Sequence, residues 1–356
     1  MRQHYAILDG LRGVAALVVL AHHAFDPWEI RYATPHAGLA VDFFFLLSGF
    51  VIAHAYEKRL LETMSFCSFL VVRLIRLYPL ILLGLLCGFF VFVIKQIIAH
   101  EPPITLSTFI ALIGGFLILP TSVSMPEGWI SIFPFNVPSW SLFFELLVNL
   151  VYAAIVGWLT RRILLVVLLA SALIVLMQSY ALGGVMGGVQ WNEFIYGVGR
   201  VLFPFFCGIY LFRLQIHTGP SQIRLSAPLL AGTLLAVLLV PTVAGNWLYE
   251  SLAVLVVFPT IVRLGAAYEP APPLTSLCLI AGKLSYPLYI LHYPVIRLFS
   301  TFIRSFDLRG VEFGAAIAIE MISAVGLAFV AMKLFDEPVR AWLAGRRIIY
   351  LAGRAA

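Results

Sequence analysis

The sequence predicts an all-α polytopic membrane helix bundle, and three observations support this fold class. Of the 356 residues, 62% are hydrophobic and only 11% are charged, against about 25% charged residues in ordinary soluble domains. The mean hydropathy is +1.01. Apolar runs of roughly 20 residues, the length of a membrane-crossing helix, recur along the chain. This composition excludes a soluble enzyme and a disordered or fibrous chain, and no alternating strand pattern suggests a membrane barrel.

Eleven apolar runs are the candidate helices of this bundle. A run of this length and apolarity favours a transmembrane helix, whereas shorter runs also form re-entrant or interfacial segments. In chain order the runs cover 6–25, 38–57, 77–98, 106–121, 141–159, 163–180, 194–214, 226–243, 248–265, 276–303 and 311–335.

The distribution of Lys and Arg indicates which runs cross the membrane, because cytoplasmic loops carry an excess of these residues. If the run at 106–121 crosses fully, Arg161 and Arg162 fall outside the cell. If it does not, these residues and every later basic loop are cytoplasmic. We therefore predict about ten transmembrane helices plus one re-entrant or interfacial segment near 104–121. Both termini are then cytoplasmic.

The chain is predicted to form one membrane-embedded domain over 1–340, followed by a short basic cytoplasmic tail over 341–356, in the inner (plasma) membrane. The net charge of +6 comes from basic residues in short loops, which favours a lipid bilayer over nucleic acid as the partner. The four cysteines lie in or beside apolar runs without CxxC spacing. We interpret them as reduced packing residues and predict no metal site.

Arg12 and His23 are the first pair of candidate functional residues, since ionisable side chains inside membrane helices are costly and often functional. They are eleven residues apart, which places them on one helix face, about 16 Å apart along the axis. A cation at one end of this face and a titratable base at the other suit a long anionic ligand. The alternative is a snorkelling arginine and an interfacial histidine.

Two acidic residues are predicted to lie near the depth of His23. Asp42 opens the second run, and Glu145 lies about one and a half turns inside the fifth helix. A carboxylate beside a histidine fixes its tautomer and raises its basicity. The alternative for Asp42 is a carboxylate favoured by the helix dipole. The alternative for Glu145 is a structural ion pair with His23 or Arg200.

Two further motifs carry ionisable residues. Arg73 and Arg76 are three residues apart, so they share a helix face at the cytoplasmic boundary. This spacing suits a phosphate clamp, and it also suits plain positive-inside anchoring. His292 lies between Pro287 and Pro294, which are expected to break the helix and line a cavity. A packed core histidine is the alternative.

Seven segments, taken in order, resemble the membrane-bound acyltransferase 3 family over about residues 4–338. The resemblance includes the family's Arg, ten residues, His opening at Arg12 and His23, its RxxR element and its PxWSLxxE element. The segments are LDGLRGVAALVVLAHHA (8–24), AVDFFFLLSGFVIA (40–53), FLVVRLIRLYP (69–79), PSWSLFFE (138–145), RVLFPFFCGIYL (200–211), KLSYPLYILHYPV (283–295) and DEPVR (336–340).

This resemblance implies an integral-membrane O-acyltransferase. Such enzymes move an acyl group, often acetyl, from cytoplasmic acyl-CoA to a hydroxyl of a sugar in a surface or exported glycan or glycolipid. Acyl-CoA is then the donor substrate, and no permanently bound cofactor is expected. Many family members carry an SGNH hydrolase-like domain after the membrane domain. This sequence ends soon after DEPVR, so we expect the stand-alone form.

The resemblance also suggests roles for the candidate residues. His23 is the expected base for the acceptor hydroxyl, oriented by Asp42 or, alternatively, by Glu145. Three arginines are expected to bind the CoA phosphates, and three further residues to shape the acceptor side. The arginines are Arg12, Arg73 and Arg76, and the acceptor-side residues are Trp140, Tyr286 and His292. Direct transfer and an acyl-histidine relay use the same residues, so both stay open.

A transporter or flippase for a lipid-linked sugar is the alternative function. Such a protein would use the same intramembrane histidines and arginines to pass its cargo or a proton. Transporter halves often show paired broken helices, and the two halves of this sequence show no convincing match of that kind. A non-catalytic scaffold is a third possibility, and the density of ionisable residues argues against it.

Overall fold

The computed structural model describes residues 4–28, 30, 33–101, 104–123, 131–303, 306 and 308–352, with side chains to residue 346. The end of the predicted basic tail, 353–356, lies outside the described residues. The described ranges are predominantly helical, as the apolar runs predict. The helices are α1 Ala6–Phe25, α2 Leu39–Glu62, α3 Phe66–Ile98, α4 Leu106–Phe116, α5 Ser139–Ile155, α6 Arg161–Leu182, α7 Phe194–Thr218, α8 Ala227–Leu239, α9 Asn246–Leu252, α10 Phe258–Gly265, α11 Leu274–Ile303, α12 Gly310–Ala331 and α13 Glu337–Ala352.

Within the described ranges, eight helical stretches are long and apolar enough to cross a membrane, which confirms a polytopic helix bundle. Each of the eleven predicted apolar runs, all of them within the described residues, contains a helix. The eight stretches are Ala6–Trp28, Leu39–Glu62, Phe66–Ile98, Arg161–Leu182, Trp191–Thr218, Asn246–Gly265, Leu274–Ile303 and Gly310–Arg346.

Three of the apolar helices in the described ranges are shorter than a full span. α4 has 11 residues, about 16 Å of rise against a hydrocarbon core of about 30 Å. This length agrees with a segment that does not cross fully. α5 and α8 have 17 and 13 residues, although the sequence predicted both as full spans. Proline limits each of them, since Pro138 precedes α5 and Pro241 follows α8. Ten full spans therefore stay a prediction.

The ends of α4 explain its length. The Thr105 side chain accepts a hydrogen bond from Thr108 N (3.2 Å), and the Thr108 side chain accepts one from Thr105 N (3.2 Å), so a capping box starts the helix. At the other end Ile118 has φ +54, a backbone conformation that rarely suits a β-branched residue. Leu119 N then donates to Gly114 O (2.7 Å), which turns the chain out of the helix.

Two pairs of helices are continuous through a wide helical turn. Ala253–Val257 joins α9 to α10, and Met332–Asp336 joins α12 to α13. Each turn lies just before a proline, Pro259 or Pro338. A proline removes one backbone hydrogen bond and crowds the preceding turn, and a locally wider turn accommodates that loss.

The helices form two compact units. The first contains the described residues within 1–64 and 140–286, and the second contains those within 65–139 and from 287 onwards. The single membrane-embedded domain over 1–340 stays a prediction.

α2 and α7 lie at the centre of the first unit and pack closely together. A Cβ atom added to Gly49 would lie 1.9 Å from the carbonyl oxygen of Phe205, and one added to Gly208 would lie 2.2 Å from that of Leu46. Small residues let two helix backbones approach in this way, which strengthens their packing inside a membrane. The crossing of α2 and α7 therefore depends on glycine at both positions.

We expect Gly49→Ala to destabilise the protein by about 1–3 kcal/mol, because its Cβ overlaps backbone that cannot move independently. Gly232 in α8 is the matched control, since a Cβ there meets no atom within 4 Å. Gly232→Ala should stabilise its helix by about 0.5–1 kcal/mol. Apparent melting temperatures in detergent measure both effects. A Gly49→Ala protein as stable as the native one would contradict the close crossing.

The second unit is built around the 33-residue helix α3. Ser65 caps the start of this helix, because its side chain accepts a hydrogen bond from Ser68 N (3.2 Å). A Cβ on Gly88 would lie 1.8 Å from the carbonyl oxygen of Phe135. The segment before α5 therefore runs directly against α3, and α13 also packs against α3.

Candidate active site

Asp42 forms a buried ion pair with Arg200 in the first unit. Asp42 lies in the first turn of α2 and is fully buried, and Arg200 of α7 is 5% exposed. Arg200 donates from Nε to Oδ1 (3.2 Å) and from NH2 to Oδ2 (2.6 Å), the two-pronged geometry that arginine and carboxylate favour. The sequence predicted that Asp42 orients His23. The described contacts instead assign both of its oxygens to Arg200, because this guanidinium neutralises a charge buried away from water.

Arg200 has three further neighbours. Its NH2 donates to Gly38 O (3.0 Å), its NH1 donates to Gly187 O (3.1 Å), and its guanidinium lies 5.2 Å from the ring centre of Trp140. Trp140 is only 6% exposed. The sequence placed Trp140 on the acceptor side, and the structure shows a buried ring that packs against Arg200.

His23 lies in the last turn of α1, at the helix end predicted for it, and is partly buried. Its ring centre lies 5.3 Å from that of His22, with the two rings nearly perpendicular. The Nδ1 atom of His22 lies 3.0 Å from the hydroxyl of Thr34. Two imidazoles and a threonine hydroxyl therefore gather where α1 ends.

Arg12 lies on the same continuous helix as His23, so the eleven-residue spacing does place both on one face. Arg12 also forms an ion pair one turn back along α1, from its NH2 to Asp9 Oδ1 (3.0 Å). His4 Nε2 lies 3.4 Å from the other oxygen of Asp9. The Arg12 side chain is one quarter exposed, so it is accessible at the start of α1 while Asp9 neutralises it.

Glu145 is partly buried in α5 and accepts a hydrogen bond from the Ser48 hydroxyl (2.8 Å). Ser48 lies in α2, so this bond joins the helix of Asp42 to that of Glu145. One turn further along α5, the fully buried amide of Asn149 makes no hydrogen bond within the described part of the chain. The α5 face carrying Glu145 is therefore polar over more than one turn.

The second unit carries the two arginines of the RxxR motif. Arg73 is buried and Arg76 partly buried on one face of α3. Asp336 forms an ion pair with Arg340 (2.8 Å) and lies within electrostatic range of Arg76. An acid from the closing DEPVR motif therefore lies near the arginine motif.

His292 lies inside an unbroken helix, which corrects the sequence prediction. α11 runs from Leu274 to Ile303 through both Pro287 and Pro294. Pro294 cannot donate to the carbonyl of Ile290, four residues earlier. Asn136 Nδ2 donates to that carbonyl instead (2.9 Å), and such replacement bonds let membrane helices tolerate proline.

The orientation of His292 follows from its helix. It is 1% exposed, and its Nδ1 lies 3.0 Å from the carbonyl oxygen of Leu288. A carbonyl only accepts hydrogen bonds, so Nδ1 is the donor in this contact. Tyr286, the other predicted acceptor-side residue of α11, is partly buried.

Two polar clusters of the first unit were missed by the sequence analysis. In one, Glu57 accepts hydrogen bonds from Arg213 Nε (3.0 and 3.1 Å) and from the Tyr152 hydroxyl (2.6 Å). In the other, the buried His36 pairs with the buried Glu250 (2.9 Å). Their partners lie 95 to 214 residues apart in the chain, so no local motif signals them.

Two features of the part that the structure describes concern a metal site and a cavity. Within those residues, no group of three histidine, cysteine or acidic side chains is placed to hold a metal ion. A cavity in the second unit, lined by Leu85, Ala111 and Asn136 among others, encloses about 10 Å³. That volume accommodates at most a single water molecule.

The fold and these residues define a multi-pass membrane protein with ionisable groups inside its helical units, which is the pattern of a functional polar interior. The chain belongs to the acyltransferase 3 family, because the family model described as an acyltransferase domain matches residues 5–333. Family membership supports membrane O-acyltransferase activity.

One curated relative is also similar in sequence. The chain is 38% identical over 186 residues to "Protein 2 in picA locus" of Rhizobium radiobacter, a match that covers 50% of this chain and 95% of that protein. No solved structure matches the chain.

Proposed function

We propose that this protein transfers an acyl group from cytoplasmic acyl-CoA to a sugar hydroxyl of a surface or exported glycan. The proposed acyl group is acetyl. The match of residues 5–333 to the acyltransferase domain is the observation that carries the proposal. The proposal includes a location in the inner (plasma) membrane, with both termini cytoplasmic. A membrane location suits this reaction, because acyl-CoA is made inside the cell while such acceptors lie outside.

His23 is the proposed base. It accepts the proton of the acceptor hydroxyl while the hydroxyl oxygen attacks the thioester carbonyl carbon. The tetrahedral intermediate then collapses, the carbon–sulfur bond breaks, and the CoA sulfur leaves with the proton that His23 had accepted, which regenerates the base. Glu145 is the proposed orienting carboxylate, since Asp42 is held by Arg200. The ring of His22 lies beside that of the base, and His22 in turn contacts the Thr34 hydroxyl.

The donor and acceptor are assigned to different residues. Arg73 and Arg76 are proposed to bind the CoA phosphates, because two guanidiniums on one helix face match phosphate oxygens well. Arg12 assists them from α1. On the acceptor side, His292 offers Nε2 as a hydrogen-bonding nitrogen, and Tyr286 offers a hydroxyl. Trp140 contributes through its packing with Arg200.

The proposed function is tested with purified protein in proteoliposomes, given labelled acetyl-CoA and a crude surface-glycan extract. We expect release of free thiol that depends on the extract, with the label moving to the glycan. A flippase for a lipid-linked sugar would move its cargo without consuming acetyl-CoA. The contradicting result is thiol release no faster than in protein-free liposomes with every acyl-CoA tested. The protein would then not use acyl-CoA as its donor.

If Arg73 and Arg76 bind the CoA phosphates as a clamp, replacing either of them should selectively weaken binding of the donor. Each alanine variant should raise the KM for acetyl-CoA about tenfold, because a charge-assisted bond to phosphate is lost in the ground state and the transition state alike. The kcat should change little. Arg161→Ala is the matched control, since Arg161 is exposed at the start of α6 and predicted to lie on the cytoplasmic side as well. An unchanged KM in both clamp variants would remove this role.

A further inference from the structure

Two loops of the first unit are held by the same guanidinium. Residues 33–38 lead into α2, and residues 183–188 lie between α6 and α7. Arg200 donates one hydrogen bond to Gly38 O (3.0 Å) in the first loop and one to Gly187 O (3.1 Å) in the second. The side chain that neutralises the carboxylate of α2 therefore also links these two loops.

Glu250 links the same two loops from α9. Its Oε1 atom accepts a hydrogen bond from Nδ1 of His36 (2.9 Å) in the first loop, and its Oε2 atom accepts one from the backbone N–H of Val185 (2.5 Å) in the second. Asn246 Nδ2 adds a third bond to Oε1 (2.9 Å). Glu250 is 6% exposed and His36 is 1% exposed, so this pair lies away from water.

Trp140 packs against the second loop, residues 183–188. A Cβ atom added to Gly188 would lie 2.9 Å from Cζ3 of the Trp140 ring and 2.8 Å from the Cα atom of Gly197. The guanidinium of Arg200 covers the same ring at 5.2 Å. The position of the indole therefore depends on where residues 183–188 lie.

The loop does not hold this conformation by itself. Gly183, Gly187 and Gly188 have φ values of +77, +96 and +99, and glycine loses more conformational freedom on folding than any other residue. Burying charged partners offsets much of the energy that they gain from pairing. Buried pairs that contribute little net stability still select one arrangement, because a displaced partner leaves an unpaired buried group.

We propose that Glu250 is a positioning residue of the acyltransferase site. With His36 and Arg200 it forms a loop latch, which holds residues 33–38 and 183–188 together and so positions Trp140 on the acceptor side. This inference rests on the proposed function for its catalytic consequence, while the latch itself is tested without activity.

Hydrogen exchange of the full-length protein in detergent tests the latch. In Glu250→Ala, amides of residues 183–188 should exchange at least about tenfold faster, because Val185 N–H loses its acceptor. Glu250→Gln retains an acceptor oxygen and should keep most of the protection. Glu57→Ala is the matched control, since it also removes a carboxylate that accepts three hydrogen bonds in the first unit. It should leave exchange at 183–188 unchanged.

The kinetic measurement tests positioning separately from folding. With acetyl-CoA and the glycan extract, Glu250→Ala should raise the acceptor concentration for half-maximal rate about tenfold, leave the KM for acetyl-CoA unchanged, and regain near-native values in Glu250→Gln. A residue with a purely structural role would lower the active fraction and change neither concentration.

If the amides of residues 183–188 exchange at the native rate in Glu250→Ala, the latch is overturned. It is also overturned if these amides exchange equally fast in Glu57→Ala. Faster exchange with an unchanged acceptor requirement overturns the positioning role. If the native protein transfers no acyl group, the proposed function and the catalytic consequence fail together, and exchange still decides the latch.

Discussion

Replacing His23 with alanine is expected to lower the kcat of acyl transfer by about 10²- to 10⁴-fold, the usual contribution of a positioned general base. Without the imidazole, the acceptor hydroxyl must lose its proton to water as it attacks the thioester. The measurement is acceptor-dependent thiol release from acetyl-CoA in proteoliposomes. Binding of acetyl-CoA should persist, because the CoA phosphates are assigned to Arg73 and Arg76 on α3 and to Arg12, about 16 Å from His23 along α1.

His22→Ala is the matched control for this prediction. His22 is the neighbouring residue of the same helical turn, its ring centre lies 5.3 Å from that of His23, and it lies 3.0 Å from the Thr34 hydroxyl. Its removal disturbs the same helix end without removing the proposed base, so kcat should fall by less than about tenfold. Native-like turnover in His23→Ala would keep the enzyme class and remove His23 from its proposed role.

Arg200→Ala is expected to destabilise the protein by about 3–5 kcal/mol, because it leaves the fully buried Asp42 as an uncompensated charge. It also removes the donors to Gly38 O and Gly187 O. The apparent melting temperature in detergent reports the loss. The double variant Asp42→Leu with Arg200→Met should be less destabilised than Arg200→Ala, because replacing both members of a buried pair removes the unpaired charge.

The pair formed by Lys333 and Glu337 is the control. These side chains lie 3.0 Å apart at 46% and 38% exposure, and exposed ion pairs contribute only about 0–1 kcal/mol. Lys333→Ala should therefore leave the melting temperature nearly unchanged. If Arg200→Ala proved as harmless as Lys333→Ala, the Asp42–Arg200 pair would have no structural role.

The helices could be predicted because apolar length is a local property. α1 was predicted at 6–25 and spans Ala6–Phe25, so the shared face of Arg12 and His23 followed directly from helical geometry. The predictions were wrong where a residue from a distant part of the chain alters the effect of a local sequence feature. Pro294 was expected to break α11, but Asn136 satisfies the carbonyl that this proline leaves without a donor. Asn136 lies 154 residues away in the chain.

Within the candidate site, the sequence identified residue types but not their partners. Asp42 was predicted to serve His23, and its partner is Arg200, 158 residues further along. His36 was not considered, since it precedes the second apolar run and belongs to no motif. Its role becomes apparent only from its hydrogen bond to Glu250, which lies 214 residues away in the chain.

The sequence by itself determined the class of protein, the helical runs and the order of the family's motifs, because each depends on composition or on spacing within one segment. Only the tertiary structure decided which helices pack together and which charges meet. Apolar helix faces are nearly interchangeable partners inside a membrane, so their pairing depends on close contacts such as Gly49 against Phe205. Once α2 and α7 pack in this way, Asp42 and Arg200 must pair, because neither charge can be buried alone.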